Sequence, residues 1–189
     1  MNKTKTNKFI IPVLFFLCVI VFLFLSYLDK ISKNFSSLLE NQCFSTEEKI
    51  VRGDSMSGVI ESGQTVKIFS GYYGCNEAKR GDVIIYSYSD DKTPLIKTIK
   101  GIPGDKFGFQ KTELGQYILL NGEVLKNAQN KPYILNEKGY NMLSMYERDY
   151  SGIIPSDSYL IMGNLIGGSA DSTYFGLVGL KDLLTKVDL

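Results

Sequence analysis

The feature that most constrains this chain lies near its start, where residues Phe9 to Leu28 read FIIPVLFFLCVIVFLFLSYL without a single charge. A helix of that length rises roughly 30 Å, enough to cross the hydrocarbon core of a bilayer. The run therefore predicts a transmembrane helix over residues 9–28. Pro12 falls in the first turn of that helix, where a missing N–H costs no hydrogen bond. Lys3, Lys5 and Lys8 precede the run, while Asp29 stands beside Lys30 and Lys33 after it. This basic bias makes residues 1–8 a cytoplasmic tail and puts everything beyond Leu28 on the outer side. A cleavable export signal is the alternative. The run is longer than the usual apolar region of such signals, and no small-x-small site follows it, which favours a retained anchor.

The rest of the 189 residues has the size of one or two small domains. Lys plus Arg number 21 and Asp plus Glu 20, a formal charge of +1, which speaks against a polyanion such as nucleic acid as partner. Residues 29–48 carry spaced apolar positions and no glycine, the pattern of a short helix or stalk leading off the membrane. From Lys49 the character changes to short β-type runs (QTVKIF, GDVIIYSY, PLIKTIKGI, QYILL, SYLIMGN) broken by Gly, Asn and Asp. Residues 49–189 are thus expected to form a mainly antiparallel β domain. Asn121-Gly122 between apolar runs predicts a tight hairpin, because both central turn residues must take positive φ. The more polar stretch 126–150 reads as surface, and residues 106–155 as an inserted β-rich excursion.

The sequence has three cysteines and no histidine. Without histidine no Ser-His or Cys-His mechanism is open within the chain, and the commonest zinc ligand is missing. Cys18 falls inside the apolar run. Cys43 and Cys75 would both lie outside the membrane, as a disulfide or as two free thiols, since separation in sequence does not define the Cα distance.

Four segments follow one another in order: GDSM at Gly53 to Met56, RGDVIIY at Arg80 to Tyr86, LIKTIKGIPGD at Leu95 to Asp105, and GNLIGGSADSTYFG at Gly163 to Gly176. Together they resemble the boxes of type I signal peptidases, serine/lysine peptidases of the S26 kind. The resemblance implies a partly closed antiparallel β catalytic domain behind a membrane anchor. It places the nucleophile on Ser55 and the general base on Lys97, with Ser169 orienting the lysine amine. Gly53, Met56, Asp171 and Ser172 fall in supporting positions around the oxyanion site and the base. No cofactor and no metal are implied.

The chemistry is coherent on the residues alone. A serine hydroxyl is a weak nucleophile and needs a neighbour that takes its proton, and lysine can serve only when neutral. Burial among apolar groups disfavours the ammonium form and lowers a lysine pKa by as much as ~3–5 units. On a strand, Leu95, Lys97 and Ile99 share one face, whereas Lys100 points to the other and reads as a solvated side chain. The backbone N–H of Ser55 is the first candidate to hold the oxyanion.

Several positions depart from the family pattern. Ser57-Gly58 stand where x-Pro is usual, which should loosen the nucleophile loop. Thr98 and Thr173 replace the two arginines expected to pair with Asp171, leaving it to accept bonds from backbone, Ser172 or Thr173. Where some members have a side-chain hydroxyl two residues before the nucleophile, this chain has Gly53.

The resemblance implies a single-pass protein of the cytoplasmic membrane that removes signal peptides from exported preproteins on the outer side, with those preproteins and the lipid bilayer as partners. Two alternatives stand beside it: a dedicated processing peptidase for a conjugation or pilus protein, and a catalytically idle membrane-anchored β interaction module.

Overall fold

In the computed structural model, backbone is described for residues 7–87, 94–183 and 185–189, and side chains for the same residues apart from 7–16 and 35–42. The chain divides into two units after Gln42. The first is built on one helix, α1 (Asn7–Cys43). The expected span, Phe9 to Leu28, falls within this helix, but its residues 9–16 have side chains outside the described set. Among the described residues no helix is long and apolar enough to cross a membrane.

The second unit is mainly β. Its elements run β1 (Ser45–Ile50), β2 (Thr65–Ser70), β3 (Val83–Tyr86), β4 (Leu95–Gly101), β5 (Phe107–Thr112), β6 (Gly115–Leu120), β7 (Glu123–Val124) and β8 (Ile134–Leu135). They continue with α2 (Glu137–Asp149), β9 (Ser158–Met162), the short α3 (Ser172–Phe175), β10 (Val178–Gly179) and β11 (Thr185–Asp188). A seven-stranded sheet has the order β1-β2-β11-β3-β4-β9-β10, and a second sheet joins β5, β6 and β7, with β8 on β6. The strand pairings are antiparallel.

Alternation along the strands divides the interior into separate cores. On β3, Val83 joins Val51, Met56, Ile60, Val66, Ile68 and Val187, while its neighbour Ile84 joins Ile99, Tyr159, Ile161 and Leu183 on the opposite face. Strand β9 does the same between two cores, sending Tyr159 and Ile161 to the Ile84 cluster and Leu160 and Met162 to a third, built with Phe107, Ile118, Leu135 and Leu143. That third cluster welds the excursion to the main sheet.

Within residues 106–155, β5 to β8 are followed by a helix that the polar composition concealed. Asn136 caps α2, its side chain accepting the Gly139 N–H at 2.9 Å. Tyr140, Leu143 and Tyr146 recur at three-residue spacing and give it an apolar face, with Leu143 fully buried. The expected hairpin joins β6 to β7, with Asn121 at φ 53° and Gly122 at φ 87°.

Two motif aspartates work as braces. Arg80 grips both oxygens of Asp105 at 2.6 and 2.7 Å, and Asp105 also accepts the Ile102 N–H and the Asn121 amide, each at 2.8 Å. Burial works to raise the Asp105 pKa, but the hydrogen bonds from Arg80, Ile102 and Asn121 outweigh it and hold the carboxyl below its usual range. The exit of β4 is thereby tied to the entry of β3 and to the hairpin. Asp82 accepts from Tyr73 at 3.1 Å and pairs with Lys186 at 2.9 Å, joining the β2–β3 connection to β11.

Cys43 and Cys75 are joined as a disulfide, with Cα atoms 5.9 Å apart and a sequence separation of 32. Closing a loop of that size stabilises the fold by roughly 2–4 kcal/mol in the chain-entropy account. Reduction is accordingly expected to lower the melting temperature of the β unit by several degrees, read by calorimetry with and without a thiol reductant, while Cys18→Ser leaves it unchanged.

Candidate active site

Ser55 lies in the loop between Val51 and β2, and the residue after it anchors that loop. The Met56 side chain is 1% exposed among Val51, Ile60 and Val66, and its carbonyl accepts the N–H groups of Val59 and Ile60 at 3.0 Å each. With Met56 sunk into the core, Ser55 is left partly open to solvent. Its carbonyl accepts two N–H groups from the segment leaving β9, Asn164 at 2.7 Å and Leu165 at 3.0 Å. The Ser55 loop is thus bolted to the last of the four motif segments through its own backbone.

Lys97 meets Ser55 from the middle of β4. The pattern along that strand buries Lys97, Ile99 and Gly101 on one face, and Lys97 is 1% exposed, among the largest fully buried side chains of the molecule. Its Nζ lies 2.8 Å from Ser55 Oγ and 2.8 Å from the Ile96 carbonyl. Burial pulls its pKa down from 10.5 to about 8, against the opposing charge of Asp171, which pushes it up. When the amine is neutral, the Ser55 O–H donates to Nζ, which is the geometry required for general-base activation.

Lys100 occupies the opposite face of the strand, as alternation requires, but it is half-buried and not freely solvated. The excursion covers it: Nζ lies 3.4 Å from the Lys126 carbonyl and 6.0 Å from the centre of the Tyr133 ring. Burial lowers its pKa also. Among the described residues it is Lys97 that sits within hydrogen-bonding distance of Ser55 Oγ.

The remaining candidates take distinct places. Ser169 Oγ is buried and makes no hydrogen bond among the described residues, so the expected bond to the lysine amine is absent from this structure. The hydroxyl packs instead against Gly163. A Cβ at Gly163 would overlap Ser169 Oγ and stand 2.9 Å from the Ser55 carbonyl oxygen, so only glycine fits between them. Asp171, stripped of arginine partners, accepts the Gly163 N–H at 3.0 Å, the Thr173 N–H at 3.0 Å and the Thr173 hydroxyl at 2.7 Å. Thr173 thus stands in for one missing arginine. Ser172 bonds elsewhere than Asp171: it is fully buried and its Oγ accepts the Ile161 N–H at 2.9 Å. Gly53, at φ 84°, is exposed, with open space where a side chain would project.

The Ser55 loop is tied and not loosened by Ser57-Gly58. The Asn164 amide donates to the Ser57 carbonyl at 2.6 Å, Gln129 Nε2 donates to the Gly58 carbonyl at 3.1 Å, and the Gly58 N–H reaches Glu61 Oε1 at 2.7 Å. Gly58 takes φ +86°, and a Cβ there would overlap the Gln129 amide. Sequence reasoning passed over Asn164, Gln129 and Tyr133, whose hydroxyl donates to the Gly163 carbonyl at 2.7 Å. Asn164 falls inside the Gly163 to Gly176 segment, whereas nothing local marks Gln129 or Tyr133.

Residues 4–189 match the family model described as "Signal peptidase, peptidase S26". The chain belongs to this family. Among curated relatives, signal peptidase I of Bacillus caldolyticus is 24% identical over 142 residues, covering 74% of this chain and 75% of that protein. Signal peptidase IB of Staphylococcus aureus strain COL is 26% identical over 153 residues, 72% of this chain and 73% of the relative. A crystal structure of a signal peptidase I from Enterococcus faecalis V583 aligns with a TM-score of 0.40 at 22% identity, over 57% of this chain and 94% of that one.

Four outcomes follow from the site's geometry. Gly163→Ala must displace Ser169 or Ser55, an overpacking cost of about 1–3 kcal/mol, and is expected to slow acylation of Ser55 by a small activated ester at least ~5-fold, the rate change corresponding to the lower end of that range. The acylation rate should rise with pH through about 8 as Lys97 deprotonates. Asp171→Asn removes the charge that favours the ammonium, so its profile should move to lower pH. Stability carries the same sign: between about 8 and 10.5 the unfolded chain binds the extra proton, so unfolding free energy rises with pH across that window.

Proposed function

We propose that this chain is a membrane-bound endopeptidase that removes signal peptides from exported preproteins, using Ser55 as nucleophile and Lys97 as general base. The observation that carries the reading is the 2.8 Å approach of a fully buried lysine amine to a partly accessible serine hydroxyl. In the acylation step the Ser55 oxygen attacks the scissile carbonyl as its proton passes to Lys97 Nζ. The tetrahedral oxyanion is held by the Ser55 backbone N–H. Lys97 then returns the proton to the departing amine, leaving an ester on Ser55, and next deprotonates the water that hydrolyses it. We assign Ser169 the orienting role on the family resemblance, with its unpaired buried hydroxyl available to the neutral lysine amine once Ser55 is esterified.

Attachment to the membrane is supported by the uncharged run 9–28 and by α1, which contains it. An outer location of the β unit is supported by the basic N-terminal tail and by the Cys43–Cys75 disulfide, a bond that persists in oxidising compartments. Anchoring keeps the site near the bilayer surface, where a signal sequence emerges, and raises its effective concentration there. In this reading the substrate lies as an added extended strand, with small side chains before the scissile bond.

The test is cleavage of a signal-bearing precursor by the full-length chain in detergent micelles, with the product's N-terminus sequenced. Ser55→Ala and Lys97→Ala are each expected to lower the rate by about 10²–10⁴-fold or more. Processing that persists in either variant, or a cut outside the signal region, overturns the reading.

A further inference from the structure

The GDSM loop is held from one side by its own core residue, Met56, and from the other by a turn of the excursion that no motif includes. Asn127 shapes that turn: its Oδ1 accepts the N–H groups of Gln129 and Lys131 at 3.0 Å each, and its amide donates to the Asn164 carbonyl at 3.0 Å. Asn164 is the junction. Its Oδ1 accepts the Ala128 N–H at 2.9 Å, and its amide donates to Gln129 Oε1 at 2.9 Å and to the Ser57 carbonyl at 2.6 Å. Asn127 and Asn164 are 8% and 4% exposed, so these bonds are made away from water, where an unmade one leaves a desolvated polar group.

We propose that Asn164 is a positioning residue for the nucleophile: with Gln129 and Asn127 it fixes the Ser57-Gly58 turn to the excursion and so holds Ser55 Oγ against Lys97. Its main chain acts on one side of Ser55, donating to the Ser55 carbonyl, and its side chain acts on the other, at Ser57. The segment between is short, so a shift at Ser57 is transmitted to Oγ. Gly58 is part of the same device, since Gln129 fills the space that a side chain there would occupy. The turn is stiffened by three donors and not by a pyrrolidine ring.

This rests on Ser55 being the nucleophile, and the test has an arm that does not. In the full-length chain in micelles, Asn164→Ala is expected to raise amide exchange across residues 53–60 about tenfold, equivalent to losing one well-made bond. Unchanged exchange overturns the proposal whatever the chain catalyses. On a precursor that the wild type cleaves, Asn164→Ala should lower kcat on the order of 10- to 100-fold, as expected for misplacement of a reacting group by about 1 Å. KM and the pH midpoint set by Lys97 should stay put, which a general loss of fold would not produce. Gln129→Ala, at an exposed position, removes one strut without unpacking the core and should shift exchange and kcat the same way by a smaller factor. Raised exchange with unaltered kcat would show a tie that does not position Ser55 and would reject the proposal. A wild-type chain that cleaves no precursor would reject the functional reading and the positioning role with it, leaving the exchange arm to report on the tie alone.

Discussion

A primary amine is held out of water beside a hydroxyl, and most of the second unit can be understood as the means of holding it there. Burying a lysine is unfavourable unless it sheds its proton, and here the cost appears as a depressed pKa. The side chain needs a rigid wall, which β4 provides between β3 and β9, and it needs Ser55 held beside it, which the Met56 plug and the exit of β9 provide. Loosening any of these admits water and restores the ammonium.

Asp171 marks where this chain departs from its family's pattern and how the departure is absorbed. Without arginines at 98 and 173, its charge is met by one backbone N–H at Gly163 and by two donors from Thr173. Neutral donors fix a carboxylate's position but do not cancel its charge. The carboxylate therefore continues to act on Lys97, opposing the burial that lowers its pKa. The Lys97 pKa is set by a balance between desolvation and one nearby negative charge.

Much of the second unit's strand pattern was legible because period-two alternation and turn dipeptides are local. Asn121-Gly122 closed its hairpin, and Lys97 shared a buried face with Ile99. What was not legible depends on which distant segments meet. Lys100 looked solvated because nothing local reveals that Lys126 and Tyr133 fold over it. The Ser57-Gly58 pair looked slack because glycine's freedom is a property of the isolated chain, and Gln129, far along the sequence, removes it. Helix α2 was hidden in polar sequence whose apolar face is narrow. The arrangement of Ser169 was expected from the resemblance, and its unpaired state had no sequence signal at all.

Strand β9 sends successive side chains into two interiors and then runs straight into Gly163 and Asn164. It is a party wall with the Ser55–Lys97 corner mounted on its end. A methyl group added or lost in either chamber is therefore felt at the same corner, and drift in one core can be offset by drift in the other.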